Sequence, residues 1–123
     1  MNKRILVVDD EESIRRILEL NLTRAGYSVH TALNGSDALT QLLTNDYDLL
    51  ITDVMMPEMD GFELVEHIRQ SPDLSPLPVI LLTAQSSTND ITRGYREGTD
   101  LYLTKPFDPS ELLIWVGRLL AQP

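Results

Sequence analysis

Three runs of apolar residues without polar alternation stand out along the chain: Ile5-Leu6-Val7-Val8, Leu49-Leu50-Ile51 and Val79-Ile80-Leu81-Leu82. Such runs predict strands covered on both faces, as in parallel sheets. Tyr27 to Ala32 and Leu101 to Thr104 predict a weaker second and a short fifth strand. Between the strands, apolar residues recur at helical spacing: Ile14, Ile17, Leu18, Leu22 and Ala25, closed by Gly26; Ala38, Leu39, Leu42 and Leu43 after the Asn34-Gly35-Ser36 turn; and Phe62, Leu64, Val65 and Ile68, ended by Pro72, Pro76 and Pro78. Pro109-Ser110-Glu111 opens a last helix with Leu112, Leu113, Val116, Leu119 and Leu120 inward. Gln85 to Gly98 is polar and weakly periodic and is the least well-specified helix.

Strands alternating with helices imply a doubly wound α/β fold, flavodoxin-like, with helices on both faces of a five-stranded parallel sheet. At 123 residues one domain over 1–123 is expected. Ligands in such sheets bind beyond the carboxyl ends of the strands, where the strand order reverses. The polar residues fall there: Asp9 and Asp10 after strand one, Asp53 after strand three, Thr83 after strand four and Lys105 after strand five. With the order 2-1-3-4-5, the three carboxylates share one mouth.

Three carboxylates and one ammonium leave a deficit that a hard divalent cation such as Mg²⁺ fits, and Asp53 is then the candidate nucleophile toward phosphorus, with Lys105 and Thr83 holding phosphoryl oxygens. Each residue also has an ordinary reading. Asp9 or Asp10 alone could cap a helix, Thr83 could bond the backbone, Lys105 could be solvated, and His30 and His67 read as surface residues. Met55, Met56 and Met59, in an acid-rich loop, read as packing or surface residues rather than soft-metal ligands. The net charge of -9 disfavours direct contact with nucleic acid or anionic membranes. The absence of cysteine excludes disulfides and thiolate metal sites, and the short apolar run after Met1-Asn2-Lys3-Arg4 is neither a signal core nor a span, so a soluble cytoplasmic protein is expected.

Four motifs, Val7-Val8-Asp9-Asp10-Glu11, Asp53 followed by Met56-Pro57-Glu58-Met59-Asp60-Gly61, Leu82-Thr83-Ala84, and Tyr102-Leu103-Thr104-Lys105-Pro106-Phe107, span nearly the whole chain. In their order and spacing the sequence resembles receiver domains of two-component response regulators, of the chemotaxis-regulator-like kind. The resemblance implies that Asp53 accepts phosphate from a sensor histidine kinase or phosphotransfer protein. It implies that Asp10, Asp53 and the Met55 backbone carbonyl bind Mg²⁺, for which Mn²⁺ can substitute, that Asp9 acts through a water on the metal, and that Lys105, before a cis bond to Pro106, contacts the phosphoryl group. Thr83 and Tyr102 would then switch, reshaping the face made by the fourth helix, the fifth strand and the last helix. The readout is a downstream protein, an output domain or a phosphorylation-dependent dimer. Met55 is a position that tunes phosphoryl lifetime in the family, and small Ala84 leaves the site open.

Receivers of winged-helix regulators often carry a second acid after the position of Asp100 and an arginine in the last helix. Here Leu101 and Trp115 stand there, which disfavours that salt-bridged dimer. Leu101, Ile114 and Trp115 instead form a candidate apolar docking patch, to be weighed against scattered surface apolars. The competing functions are a phosphorylation-independent interaction module and an aspartyl-nucleophile phosphatase. The latter expects a general acid where Met55 stands, and a flavodoxin-like electron carrier lacks its phosphate cradle here.

Overall fold

A computed structural model describes residues 2–84 and 98–121. The elements are β1 (Arg4–Val8), α1 (Glu12–Arg24), β2 (Ser28–Ala32), α2 (Gly35–Thr44), β3 (Leu49–Asp53), α3 (Gly61–Gln70), β4 (Val79–Thr83), β5 (Leu101–Thr104) and α4 (Pro109–Leu120). The predicted helix over Gln85 to Gly98 lies outside the described residues, apart from Gly98. The five strands form one parallel sheet in the order β2-β1-β3-β4-β5.

The unbroken apolar runs are explained by the two layers they face. Leu6, Val8, Leu50, Val79 and Leu81 join Ala38, Leu42, Phe62, Leu64, Val65 and Ile68 on the α2/α3 side. Ile5, Val7, Leu49, Ile51, Ile80 and Leu82 join Leu18, Leu22, Leu112 and Val116 on the α1/α4 side. With both faces of the sheet covered, alternation has no polar face to mark.

Local chemistry starts the helices. The Asn34 side chain accepts from Asp37 N, Asp108 accepts from Ser110 N ahead of Pro109, and Asp60 forms a reciprocal capping box with Glu63. Gly26, with φ 99°, turns the chain out of α1.

Several predicted inward positions are not inward. Leu43 is 73% and Ile17 43% exposed, and Ala25 is exposed too. Leu43 lies about 140° around the helix from Ala38, at the end of α2, past the stripe that Ala38 and Leu42 press on the sheet. His30 is half-buried rather than a plain surface residue, with Nδ1 2.7 Å from the Tyr47 hydroxyl. The second strand begins one residue later than predicted, at Ser28. Among the described residues, no helix is long and apolar enough to cross a membrane.

Candidate functional site

The carboxyl ends of β1, β3, β4 and β5 open onto one mouth. Pairing of Val8 with Thr52, Asp53 with Leu82, and Thr83 with Thr104 aligns the strand ends, and Lys105 N donates to the Thr83 carbonyl. Asp9, Asp53 and Thr83 are buried there, while Asp10 is exposed.

Asp9 is held from two sides. Its Oδ1 accepts from Glu11 N at 2.9 Å and its Oδ2 pairs with Lys105 Nζ at 2.9 Å. Arg15 donates to the Asp9 carbonyl at 2.7 Å, bracing the strand end from α1. Lys105 also reaches Asp53 Oδ1 at 3.3 Å, so one ammonium bridges two carboxylates. The Lys105-Pro106 bond is cis.

The floor beside Asp53 requires a glycine. A Cβ on Gly61 would run into the Asp53 carbonyl oxygen and lie 3.0 Å from Val54 Cα, and Gly61 N donates to Val54 O at 2.9 Å. The start of α3 is thereby pressed against the backbone that presents Asp53. In the loop between them Glu58 takes φ 69°, left-handed backbone that a non-glycine residue adopts with strain.

Burial pushes the Asp53 carboxyl from 3.8 up to about 6, with the negative charge of Asp9 adding to the rise and Lys105 opposing it. Burial alone would lower Lys105, but the hydrogen bond to Asp9 and the charges of Asp53 and Asp9 outweigh it, and its pKa is raised. A second cation would relieve the remaining repulsion. Asp9, Asp10 and Asp53 bring carboxylate oxygens within 4.8 Å of one another, an all-oxygen donor set that suits Mg²⁺.

The mouth therefore gathers Asp9, Asp10, Asp53 and Lys105, with Thr83 on the adjoining strand end. Met55 is 66% exposed, Met56 is buried and Met59 half-buried. Ala84 is exposed. Tyr102 is buried against the α2/α3-side core. Elsewhere, Ile114 is 56% exposed, Leu101 is half-buried against the α1/α4-side core, and Trp115 is half-buried with the Arg118 guanidinium 5.0 Å from its ring.

Sequence reasoning missed Arg15 and a second hub away from the mouth. Arg69 donates to the carbonyls of Gly98, Ser75 and Leu77 and to the Asp100 carboxylate, which also accepts from Val79 N at 2.8 Å. Asp100 thus ties the starts of β4 and β5 together inside the domain. Partners about thirty residues apart leave no local pattern to read.

The family model for the response regulator receiver domain matches residues 5–116. The alkaline phosphatase synthesis transcriptional regulatory protein PhoP of Bacillus subtilis is 46% identical over 120 residues, covering 98% of this chain and 49% of that protein. The chain spans about half the length of the curated relatives it matches. Among solved structures, the Vibrio cholerae chemotaxis response regulator CheY4 is 36% identical with TM-score 0.91, covering 97% of this chain and 99% of that one. Response regulator TrrA of Thermotoga maritima, solved in complex with Mg²⁺–BeF, is 39% identical with TM-score 0.85, covering 95% of this chain and 98% of that one. The sheet order, the acidic mouth and these likenesses agree, and the chain belongs to the response regulator receiver domain family of two-component signal transduction.

Proposed function

We propose that the chain is a phosphorylation-controlled signalling switch in which Asp53 accepts a phosphoryl group from a sensor histidine kinase or phosphotransfer protein. The observation that carries this reading is the buried Asp53 carboxylate, set between Lys105 and two further acids at the strand ends. An Asp53 oxygen attacks phosphorus, an acyl phosphate forms, and the bond to the donor imidazole breaks with its electron pair leaving on nitrogen. Lys105, already 3.3 Å from Asp53, neutralises charge on the phosphoryl oxygens, and Thr83 stands on the adjoining strand end to donate to them. Asp10, Asp53 and the Met55 carbonyl would hold Mg²⁺, or Mn²⁺ in its place, with Asp9 acting through a bridging water. The ion, when bound, supplies charge neutralisation at the reacting oxygens.

The domain is a regulator that assists its own phosphorylation and dephosphorylation, working as one unit over 1–123 in the cytoplasm. Thr83 and Tyr102 carry the change to the face of β5, α4 and the segment before β5, where Leu101, Ile114 and Trp115 offer an apolar patch to an output domain, a downstream protein or a second copy. With a net charge of -9, this domain leaves any nucleic-acid contact to an output domain in a longer protein.

The test uses Mg²⁺ with beryllofluoride and isotope-labelled protein. Amide shifts centred on Asp53, Thr83 and Lys105, spreading to Tyr102 and absent in Asp53→Ala, are expected. Shifts that persist in the variant would place the anion elsewhere and refute the assignment.

A further inference from the structure

The end of the sheet opposite the acidic mouth carries two adjoining clefts that the switch does not use. One, of about 270 Å³, lies between the carboxyl ends of α2 and α3 and is lined by Leu42, Tyr47, Leu74 and Leu77 with Asp46, Asp48 and Asp73. The other, of about 410 Å³, shares Leu42, Asp46, Asp73 and Leu74 and adds Leu43. The larger volume falls within the usual span of ligand clefts, roughly 300–1,000 Å³.

The lining has a definite chemistry. Asp46, Asp48 and Asp73 stand around Tyr47, Leu74 and Leu43, with Leu42 and Leu77 almost wholly buried beneath them, and among the described residues no lysine, arginine or histidine lines either cleft. Arg4 lies against Tyr47 with its guanidinium 5.2 Å from the ring centroid, and its backbone N–H donates to Asp48 Oδ2. Leu43, on the lip, has the highest exposure of any large apolar side chain among the described residues, at 73%. Neither core packing nor the capping of α2 uses it.

We propose that this trough docks a polypeptide segment in which basic side chains flank an apolar one. The apolar residue would lie on Leu74 and Tyr47 beside Leu43, and the basic residues would pair with Asp46 and Asp73 at the two lips. Charge selects this occupant over the alternatives. Nucleic acid and anionic lipid are repelled by these carboxylates and by the chain's net charge. A bare divalent cation lacks a convergent donor set here, because among the described residues only Asp9, Asp10 and Asp53 bring three carboxylate oxygens within 4.8 Å. A peptide satisfies both the acidic rim and the exposed apolar surface of Leu43, Tyr47 and Leu74, with the rim setting specificity and on-rate more than affinity.

The test titrates isotope-labelled protein with a short capped peptide of alternating lysine and leucine, and with its glutamate counterpart. Saturable amide shifts confined to residues 42–48 and 73–78 are expected for the lysine peptide alone. Its affinity should fall as salt rises and weaken by roughly threefold to tenfold in the Asp46→Asn/Asp73→Asn double variant, the range two exposed ion pairs carry. The control Glu12→Gln/Glu19→Gln, which removes two acids from α1, should leave it unchanged. Shifts centred on Asp9, Asp10 and Asp53, shifts spread over every acidic surface, or equal affinity in both double variants would overturn the proposal. So would self-association seen by sedimentation that Leu43→Asp abolishes, since the occupant would then be a second copy. Substitutions at the exposed Asp46 and Asp73 leave the core intact, and an unchanged amide spectrum in the free variant checks this.

Discussion

Asp53→Asn should make the metal-free protein more stable, and the gain should depend on pH. Folding drives the Asp53 carboxyl from 3.8 up to about 6, chiefly by burial and then by the charge of Asp9. A rise of that size corresponds to about 3 kcal/mol between the two protonation states. The folded chain binds this proton more tightly than the unfolded chain. Its stabilising contribution is therefore fully present below 3.8 and is lost as the pH rises through about 6. Asparagine keeps the shape of the side chain, removes the charge, and leaves Lys105 paired with Asp9 at 2.9 Å. Urea unfolding in the presence of a chelator should show the variant more stable than the parent by about 2–3 kcal/mol near pH 7.5, shrinking to a small difference near pH 4. Added Mg²⁺ should narrow the gap near neutrality, because only the parent gains binding energy from all three acids. A difference independent of pH, or a parent more stable than the variant at pH 7.5 without metal, would refute the electrostatic account.

The same titration predicts that Mg²⁺ affinity, measured by calorimetry, is nearly constant above the Asp53 pKa of about 6 and falls by about tenfold per pH unit below it, because the ion must displace a proton. A flat profile down to pH 5 would contradict it. Lys105→Met removes the ammonium that bridges Asp9 and Asp53, and Mg²⁺ should then bind roughly tenfold tighter at pH 8, since a competing positive charge has gone; weaker binding would show that Lys105 organises the carboxylates rather than competing for them. Gly61→Ala forces a methyl into the Asp53 carbonyl and should destabilise the fold by about 1–3 kcal/mol while weakening Mg²⁺ binding, a pairing that thermal unfolding and calorimetry would detect together. Leu42→Ala should cost about 2–5 kcal/mol in urea unfolding and Leu43→Ala within about 0.5 kcal/mol, although sequence periodicity alone puts both on one face.

The sheet and its mouth were legible in the sequence because their signals are local. Buried parallel strands require unbroken apolar runs, Asp9, Asp53 and Thr83 each terminate such a run or follow it closely, and Lys105 follows the short, half-buried fifth strand. Their meeting follows from strand order, which alternation with helices constrains to few choices. What stayed hidden depends on distance in sequence or on the rim of a layer. Arg69 bonds three carbonyls on two separate segments, Ser75 and Leu77 before β4 and Gly98 before β5, and no periodicity announces such a hub. Ile17 and Leu43 fit a helical stripe yet are exposed, because a stripe drawn from spacing alone has no edge. Gly61 stands in the sequence only as the end of the motif after Asp53, whereas its close approach to the Asp53 carbonyl appears only once α3 is docked. His30 read as surface because its partner, Tyr47, is seventeen residues away across the edge of the sheet.

The central claim, that Asp53 is the phosphoryl acceptor, is tested most directly by intact mass after incubation with acetyl phosphate or phosphoramidate and Mg²⁺, with Asp53→Ala alongside. The account predicts a Mg²⁺-dependent adduct of one phosphoryl group, stable to acid and labile to alkali as an acyl phosphate should be, and missing from the variant. No adduct on a folded, Mg²⁺-binding parent, or the same adduct on Asp53→Ala, would contradict it and bring a phosphorylation-independent binding role to the front.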